Sequence, residues 1–181
     1  MSTPSEIFLA RSRYWLTKEY PIKLRHCANA LSGDVVWARP NAESNSIGNL
    51  LVHLAGNVTE WILGGVGRQT VERYRAGEFA QTEGANASEL LDRLESVLGE
   101  ADAVLAGLTE RDLPRSITVQ ARETTVLAAI YHVVEHFAMH TGQIVLLTKI
   151  YAPGAIHFYE DNGGLARPTW HLGTSLDEAA H

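Results

Sequence analysis

The stretch Thr124–Tyr151, TTVLAAIYHVVEHFAMHTGQIVLLTKIY, decides how the chain is read. Its apolar residues fall at Val126, Leu127, Ile130, Val133, Val134, Phe137, Ile144, Val145 and Leu147, the three-and-four spacing of one helix face. No proline interrupts it before Pro153-Gly154, so it predicts a single long helix that ends there. Three further segments share this period. The first runs roughly from Ser5 to Leu31 through Ile7, Leu9, Ala10, Tyr14, Leu24 and Ala28, and Pro21 is expected to kink or split it. The second opens at the capping cluster Ser44-Asn45-Ser46, continues through Ile47, Leu50, Leu51, Leu54, Val58, Trp61 and Ile62, and stops at Gly64-Gly65 and Gly67. The third is expected to start at Ser88 as N-cap, with Glu89 in its first turn, and to run to Gly107.

Between the second and third helices, Arg68–Ala87 is polar and Gly-interrupted, with Glu72, Arg73, Arg75 and Glu78 but no sustained period, and reads as a long crossover loop. Only Ser116–Gln120 alternates like a strand, and it is too short to found a sheet without partners. The residues from Ala152 to His181, with Asn162-Gly163-Gly164, Pro168 and Trp170, read as an irregular tail strapped over the helices. The expected fold is therefore all-α: a four-helix bundle with a long crossover loop and an irregular C-terminal tail, one domain over residues 1–181.

Composition narrows the function. With 181 residues, 45% of them apolar, the chain can fill one core. Lys and Arg total 15 against 21 Asp and Glu, and the net charge of -6 repels a phosphate backbone, so no nucleic-acid partner is expected. Cys27 stands alone, which excludes an intrachain disulfide and fits a reducing cytoplasm. The first residues lack the basic and apolar regions of a signal peptide, and no window reaches the ~18 apolar residues of a membrane span. The expectation is a soluble cytoplasmic protein without a membrane partner. The apolar face of the first helix, with Tyr14 and Trp15, exceeds what one bundle seam needs and suggests a homodimer.

Chemistry is concentrated in histidine. His132, His136 and His140 step by four along the last helix, each step advancing about 40° beyond a full turn and about 6 Å along the axis. Neighbours in this ladder can grip one ion, but the outer two lie about 12 Å apart along the axis, too far for metal–nitrogen bonds near 2.0–2.1 Å to an ion held by the middle one. A further ligand is expected from His53, set inside Leu50-Leu51-Val52-His53-Leu54-Ala55. Helical projection places Ser46, Asn49, His53, Asn57 and Glu60 along one flank, a polar stripe beside the apolar face. Two ladder histidines with His53 make a three-nitrogen site with an open position, the arrangement of catalytic zinc, although imidazole also suits nickel, copper or iron. A rival pattern, His132-Val133-Val134-Glu135-His136, has the H-x-x-E-H form of inverted zinc proteases. It requires a downstream glutamate ligand, for which only Glu160 and Glu178 remain, both in the broken tail.

Other templates fail. Gly65-Val66-Gly67-Arg68-Gln69-Thr70 lacks the third glycine of a dinucleotide loop and follows a helix, and neither a P-loop nor a G-x-S-x-G elbow is present. Trp15, Trp37, Trp61 and Trp170 read as core or interface residues rather than the lining of an aromatic pocket.

The string Ile47-Gly48-Asn49-Leu50-Leu51-Val52-His53-Leu54, taken with His136-Phe-Ala-Met-His140-Thr-Gly-Gln143-Ile144, resembles the DinB-like family, small bacterial four-helix bundles related to thiol-dependent S-transferases and maleylpyruvate isomerase. The resemblance extends over about residues 47–150. It implies a divalent metal, zinc or nickel foremost, held by His53, His136 and His140, and leaves His132 outside the shared pattern. Asn49, Asn57, Glu60, His132 and Gln143 are the expected pocket residues or supports of the ligands, with Glu60 a general base if it reaches the cavity.

Two functions follow from an open metal position. One is a metal-dependent S-transferase that activates a low-molecular-weight thiol toward a small-molecule substrate, with metal-dependent hydrolysis as its alternative. The other is a non-catalytic metal-binding module of a stress response, which needs the same three histidines.

Overall fold

The computed structural model describes residues 2–170; the tail residues 171–181, Glu178 among them, lie outside the described residues. Four helical rods form the molecule, as the apolar periods predict. The first is continuous from Pro4 to Ala30 but changes pitch within: α1 (Pro4–Tyr14) passes through one π-helical stretch (Trp15–Glu19) into α2 (Tyr20–Ala30). Thr3 caps it in a reciprocal capping box with Glu6. Pro21 lacks the N–H that an α-helix needs at that point, and the wider π turn immediately before it absorbs the mismatch. The proline thus neither breaks nor splits the rod.

Ser46 caps the second rod, α3 (Ile47–Val58), through a box with Asn49, and a second π-helical stretch (Thr59–Val66) carries it to Gly67. The crossover that follows is not wholly loop: α4 (Arg75–Ala80) forms within it. The third rod, α5 (Ala87–Ala106), starts two residues earlier than Ser88 suggests, because Asn86 bonds the Glu89 backbone N–H and Glu89 returns the bond. The fourth, α6 (Val126–Tyr151), is capped by Thr125.

Two short hairpins accompany the helical bundle and leave its all-α class unchanged. Ser116–Gln120 does find a partner: β1 (Ser116–Val119) pairs antiparallel with β2 (Arg122–Thr125), and together they deliver the chain to α6. Their turn holds Gln120 and Ala121 at positive φ, 53° and 58°, without the Asn or Gly that usually announces such a turn. In the tail, β3 (Tyr159–Asn162) pairs with β4 (Leu165–Pro168) around Gly163-Gly164, and Trp170 beyond it is buried. The strap is therefore partly regular.

α2 and α3 each pack against both α5 and α6, enclosing one core of fully buried side chains that includes Leu16, Leu24, Leu54, Ile62, Leu91, Leu98, Ile130 and Phe137. Part of the apolar face of the first rod packs into the core, Trp15 stacking on Tyr20 at 5.3 Å and Tyr20 on Phe137 at 5.9 Å, while Ile7 stays exposed. Among the described residues no helix is long and apolar enough to cross a membrane. What positions chemistry is the seam between α3 and α6, where one flank of each helix is polar.

Candidate metal centre

His53 projects from the middle of α3 and meets the second and third steps of the α6 ladder. Its Nε2 lies 2.9 Å from Nε2 of His136, and its ring centroid lies 5.0 Å from that of His136 and 5.1 Å from that of His140. One nitrogen from each of the three falls within 4.8 Å of the other two, and no Asp or Glu among the described residues joins the group. His132 stands apart, its ring on Trp61 at 4.3 Å. The ladder's own rise explains the division, since His132 sits one more turn along the helix.

Two of the rings are oriented by neighbours. His53 Nδ1 faces Glu78 Oε2 at 2.8 Å, so this nitrogen carries the proton and donates it, leaving the Nε2 lone pair for the cluster. His140 Nδ1 likewise donates to Gln143 Oε1 at 2.7 Å, and its Nε2 is buried without any partner. A buried acceptor of this kind is costly unless satisfied. Two Nε2 atoms at 2.9 Å repel unless a proton or a cation lies between them. Both features fit a cation shared by three imidazoles.

Electrostatics keep the rings neutral. Burial pushes His136 down to about 3, with the neighbouring imidazoles of His140, His53 and His132 and the Arg73 guanidinium adding to the effect. Burial also lowers His140 and His132, and it lowers His53 despite the opposing pull of Glu78. Neutral imidazole is the form that binds metal.

The crossover supplies what the sequence reading missed. Arg73 grips Glu78 through two bonds, Nε to Oε1 at 2.6 Å and Nη2 to Oε2 at 2.8 Å, and reaches Glu60 Oε2 with Nη1 at 2.7 Å. Gln120 of the β1–β2 turn donates to the same Glu60 oxygen at 2.7 Å. A continuous polar chain thus runs from Gln120 through Glu60, Arg73 and Glu78 to His53. Phe79, next to Glu78, lies against the His53 ring at 4.6 Å. Burial alone would raise the Glu78 carboxyl, but Arg73 and then His53 hold it below the usual carboxylate range.

The polar stripe of α3 is consequently a seam for the crossover more than the wall of a pocket. Asn49 is buried, accepts from Ser46 and Arg39, and donates to the backbone oxygens of Glu78 and Gln81. Glu60 is engaged by Arg73 and Gln120 and is no free general base. Asn57 is buried with its Oδ1 unpartnered, and Gln143 orients His140. Glu135 is exposed.

A sequence signal for this seam exists at Gly56, a glycine inside a helix, where it costs about 1 kcal/mol relative to alanine. A Cβ there would overlap Glu78 Oε1 and come within 2.8 Å of Arg73 Nε. Gly56→Ala is accordingly expected to destabilise the protein despite its gain in helix propensity. Thermal melting checks this, and a higher melting temperature for the variant would show that the Arg73–Glu78 pair moves aside freely.

The model of the DinB superfamily matches residues 21–144. No curated protein matches the chain in sequence. Among solved structures, YfiT from Bacillus subtilis, described as a probable metal-dependent hydrolase with an unusual four-helix bundle topology, superposes with a TM-score of 0.65 at 17% identity over 83% of this chain and 90% of its own. A DinB-like protein of Bacillus subtilis, YjoA, superposes with a TM-score of 0.61 at 18% identity, over 86% of this chain and 99% of its own. Both likenesses are of fold, and the family match spans most of the bundle and includes His53, His136 and His140: the chain belongs to the DinB superfamily.

Proposed function

We propose that the three-histidine cluster holds one divalent ion and that the protein is a metal-dependent S-transferase acting with a low-molecular-weight thiol on a small electrophile. The single observation that carries the reading is the donor set: three neutral imidazoles converge, and no carboxylate among the described residues joins them as a fourth ligand. Such an ion supplies Lewis-acid chemistry, lowering the pKa of a thiol or water placed at its open position.

The chain's own residues account for the rest. His53, His136 and His140 offer lone pairs because burial keeps them uncharged. Glu78 and Gln143 fix two of the rings, so that little reorganisation accompanies binding. Glu60 and Glu78, the carboxylates tied into the chain leading to His53, are both engaged by Arg73, which favours a nucleophile that needs no separate base. A thiol that ionises at neutral pH meets this condition.

Hydrolysis is the second reading, favoured by the description of YfiT. X-ray absorption of the zinc-loaded protein separates the two. Addition of glutathione, bacillithiol or mycothiol is expected to bring a sulfur neighbour at about 2.3 Å. A shell of nitrogen and oxygen only, with all three thiols, overturns S-transfer; turnover of an ester or amide would then favour hydrolysis, and inertness a non-catalytic metal-binding module.

A further inference from the structure

A cavity of about 300 Å³ opens at one end of the α3–α6 seam, between residues 43–45 and α6. The two helices run antiparallel along this seam: Trp61 meets His132, His53 meets His136 and His140, and Leu50 shares the cavity wall with Gln143 and Leu147. Leu50 precedes His53 by three residues and Gln143 follows His140 by three, so the wall stands about 4.5 Å along either helix from the metal centre. The volume suits one small molecule.

Three parts of the lining select the occupant. Leu50, Leu146 and Leu147 give it an apolar wall, which takes an aliphatic body. Glu43 is the only charged residue among the described ones that line it, and its carboxylate has no ion-pair partner among the described residues. The turn that carries this carboxylate is fixed by Asn41, whose Oδ1 accepts from the Glu43 backbone N–H at 3.0 Å and from the Ser44 hydroxyl at 2.8 Å. Gln143 is the third part. Its Oε1 accepts from His140 Nδ1 at 2.7 Å, while its Nε2 has no partner among the described residues and remains as a donor for an occupant. A carboxylate, an N–H donor and an apolar wall match an ammonium, a carbonyl and an aliphatic chain.

We propose that this cavity seats the small-molecule substrate of the metal centre and that the substrate is an aliphatic amine bearing a carbonyl, its ammonium at Glu43 and its carbonyl oxygen on Gln143 Nε2. The role, though not the binding, rests on the reading of the three histidines as a working metal site, and it holds for S-transfer and for hydrolysis alike. Gln143 then has two ends. One holds the occupant and the other holds the His140 ring that offers its Nε2 to the ion, so filling the cavity fixes a side chain that the metal site also needs fixed. Occupant and ion therefore strengthen each other, and by linkage each raises the affinity of the other by the same factor.

Amide NMR of the ion-free protein, titrated with L-leucinamide at neutral pH, tests the seat. The resonances of Leu50, Gln143, Leu146 and Leu147 are expected to move, and the uncharged N-acetyl-leucinamide should bind about fivefold more weakly, as loss of one exposed ion pair allows. Glu43→Gln should abolish that preference and leave N-acetyl-leucinamide unaffected; the position is exposed, and an unchanged amide spectrum elsewhere shows that the variant is folded. Calorimetry with zinc reads the coupling: leucinamide should bind the zinc-loaded protein about fivefold more tightly or better, and Gln143→Ala should remove the difference. Shifts confined to other residues, equal binding of the two amides, a preference that survives Glu43→Gln, or an affinity unmoved by zinc would each overturn the proposal. A protein that binds no zinc would overturn the metal reading and with it the cavity's role, a failure visible in the zinc titration alone, because the charge preference is measured without the ion.

Discussion

Alanine at His53, His136 or His140 is expected to lower the affinity for a divalent ion by more than about 100-fold, because loss of a direct ligand exceeds the ~10–100-fold cost of losing an outer support. His132→Ala should retain one ion per chain, its ring being stacked on Trp61 outside the cluster. Elemental analysis after dialysis, followed by calorimetric titration, reads both results. Loss of metal in His132→Ala with retention in His140→Ala would instead favour the H-x-x-E-H pattern built on His132, Glu135 and His136. The geometry argues against that outcome: His140 Nε2 is a buried ring nitrogen left without a partner, and Glu135 faces solvent. The fold should survive the ligand changes, because His136 and His140 lie at the polar edge of α6, while Phe137 and Ile144 fill the core.

How far the sequence could be read follows from which interactions are local. Periodicity placed all four rods because a helix buries a face whose spacing is fixed by its own geometry. Caps set their starts for the same reason, and Asn86 displaced Ser88 only because a stronger reciprocal box with Glu89 lay two residues upstream. A three-histidine group was legible in outline because a ladder shares one helix and His53 interrupts an apolar run, but which two steps of the ladder join His53 came only from the resemblance to the DinB-like family. Neither the crossover helix nor the path of the π turns has a local signature. Arg73 and Glu78 look like solvated charges in a polar segment, and only the folded chain shows them nearly sealed, with 6% and 7% of their side chains exposed. Their pairing is a tertiary event, announced in the sequence by no more than the missing side chain of Gly56.

That sealed pair leads to the second large effect. Arg73→Met is expected to destabilise the ion-free protein by about 3–5 kcal/mol, the cost of leaving one member of a buried ion pair without its partner. Arg73 satisfies two carboxylates at once, so its removal strands Glu78 beside His53 and frees Glu60 toward Gln120 alone. The double variant Arg73→Met, Glu78→Gln should recover much of the loss, because no buried charge remains and the amide oxygen still accepts from His53 Nδ1. Urea unfolding at neutral pH measures each step. The pH dependence has a definite sign. In the wild-type protein Glu78 lies below its ordinary value, so its contribution is present above the usual carboxylate range and is lost as pH falls through the lowered one. Without Arg73, burial raises the carboxyl and protonation then favours the folded chain. The gap between wild type and Arg73→Met should therefore narrow as the solution is acidified. A gap that stays constant from neutral to acid pH would mean that Arg73 contributes by packing its stem, with the charge pair secondary.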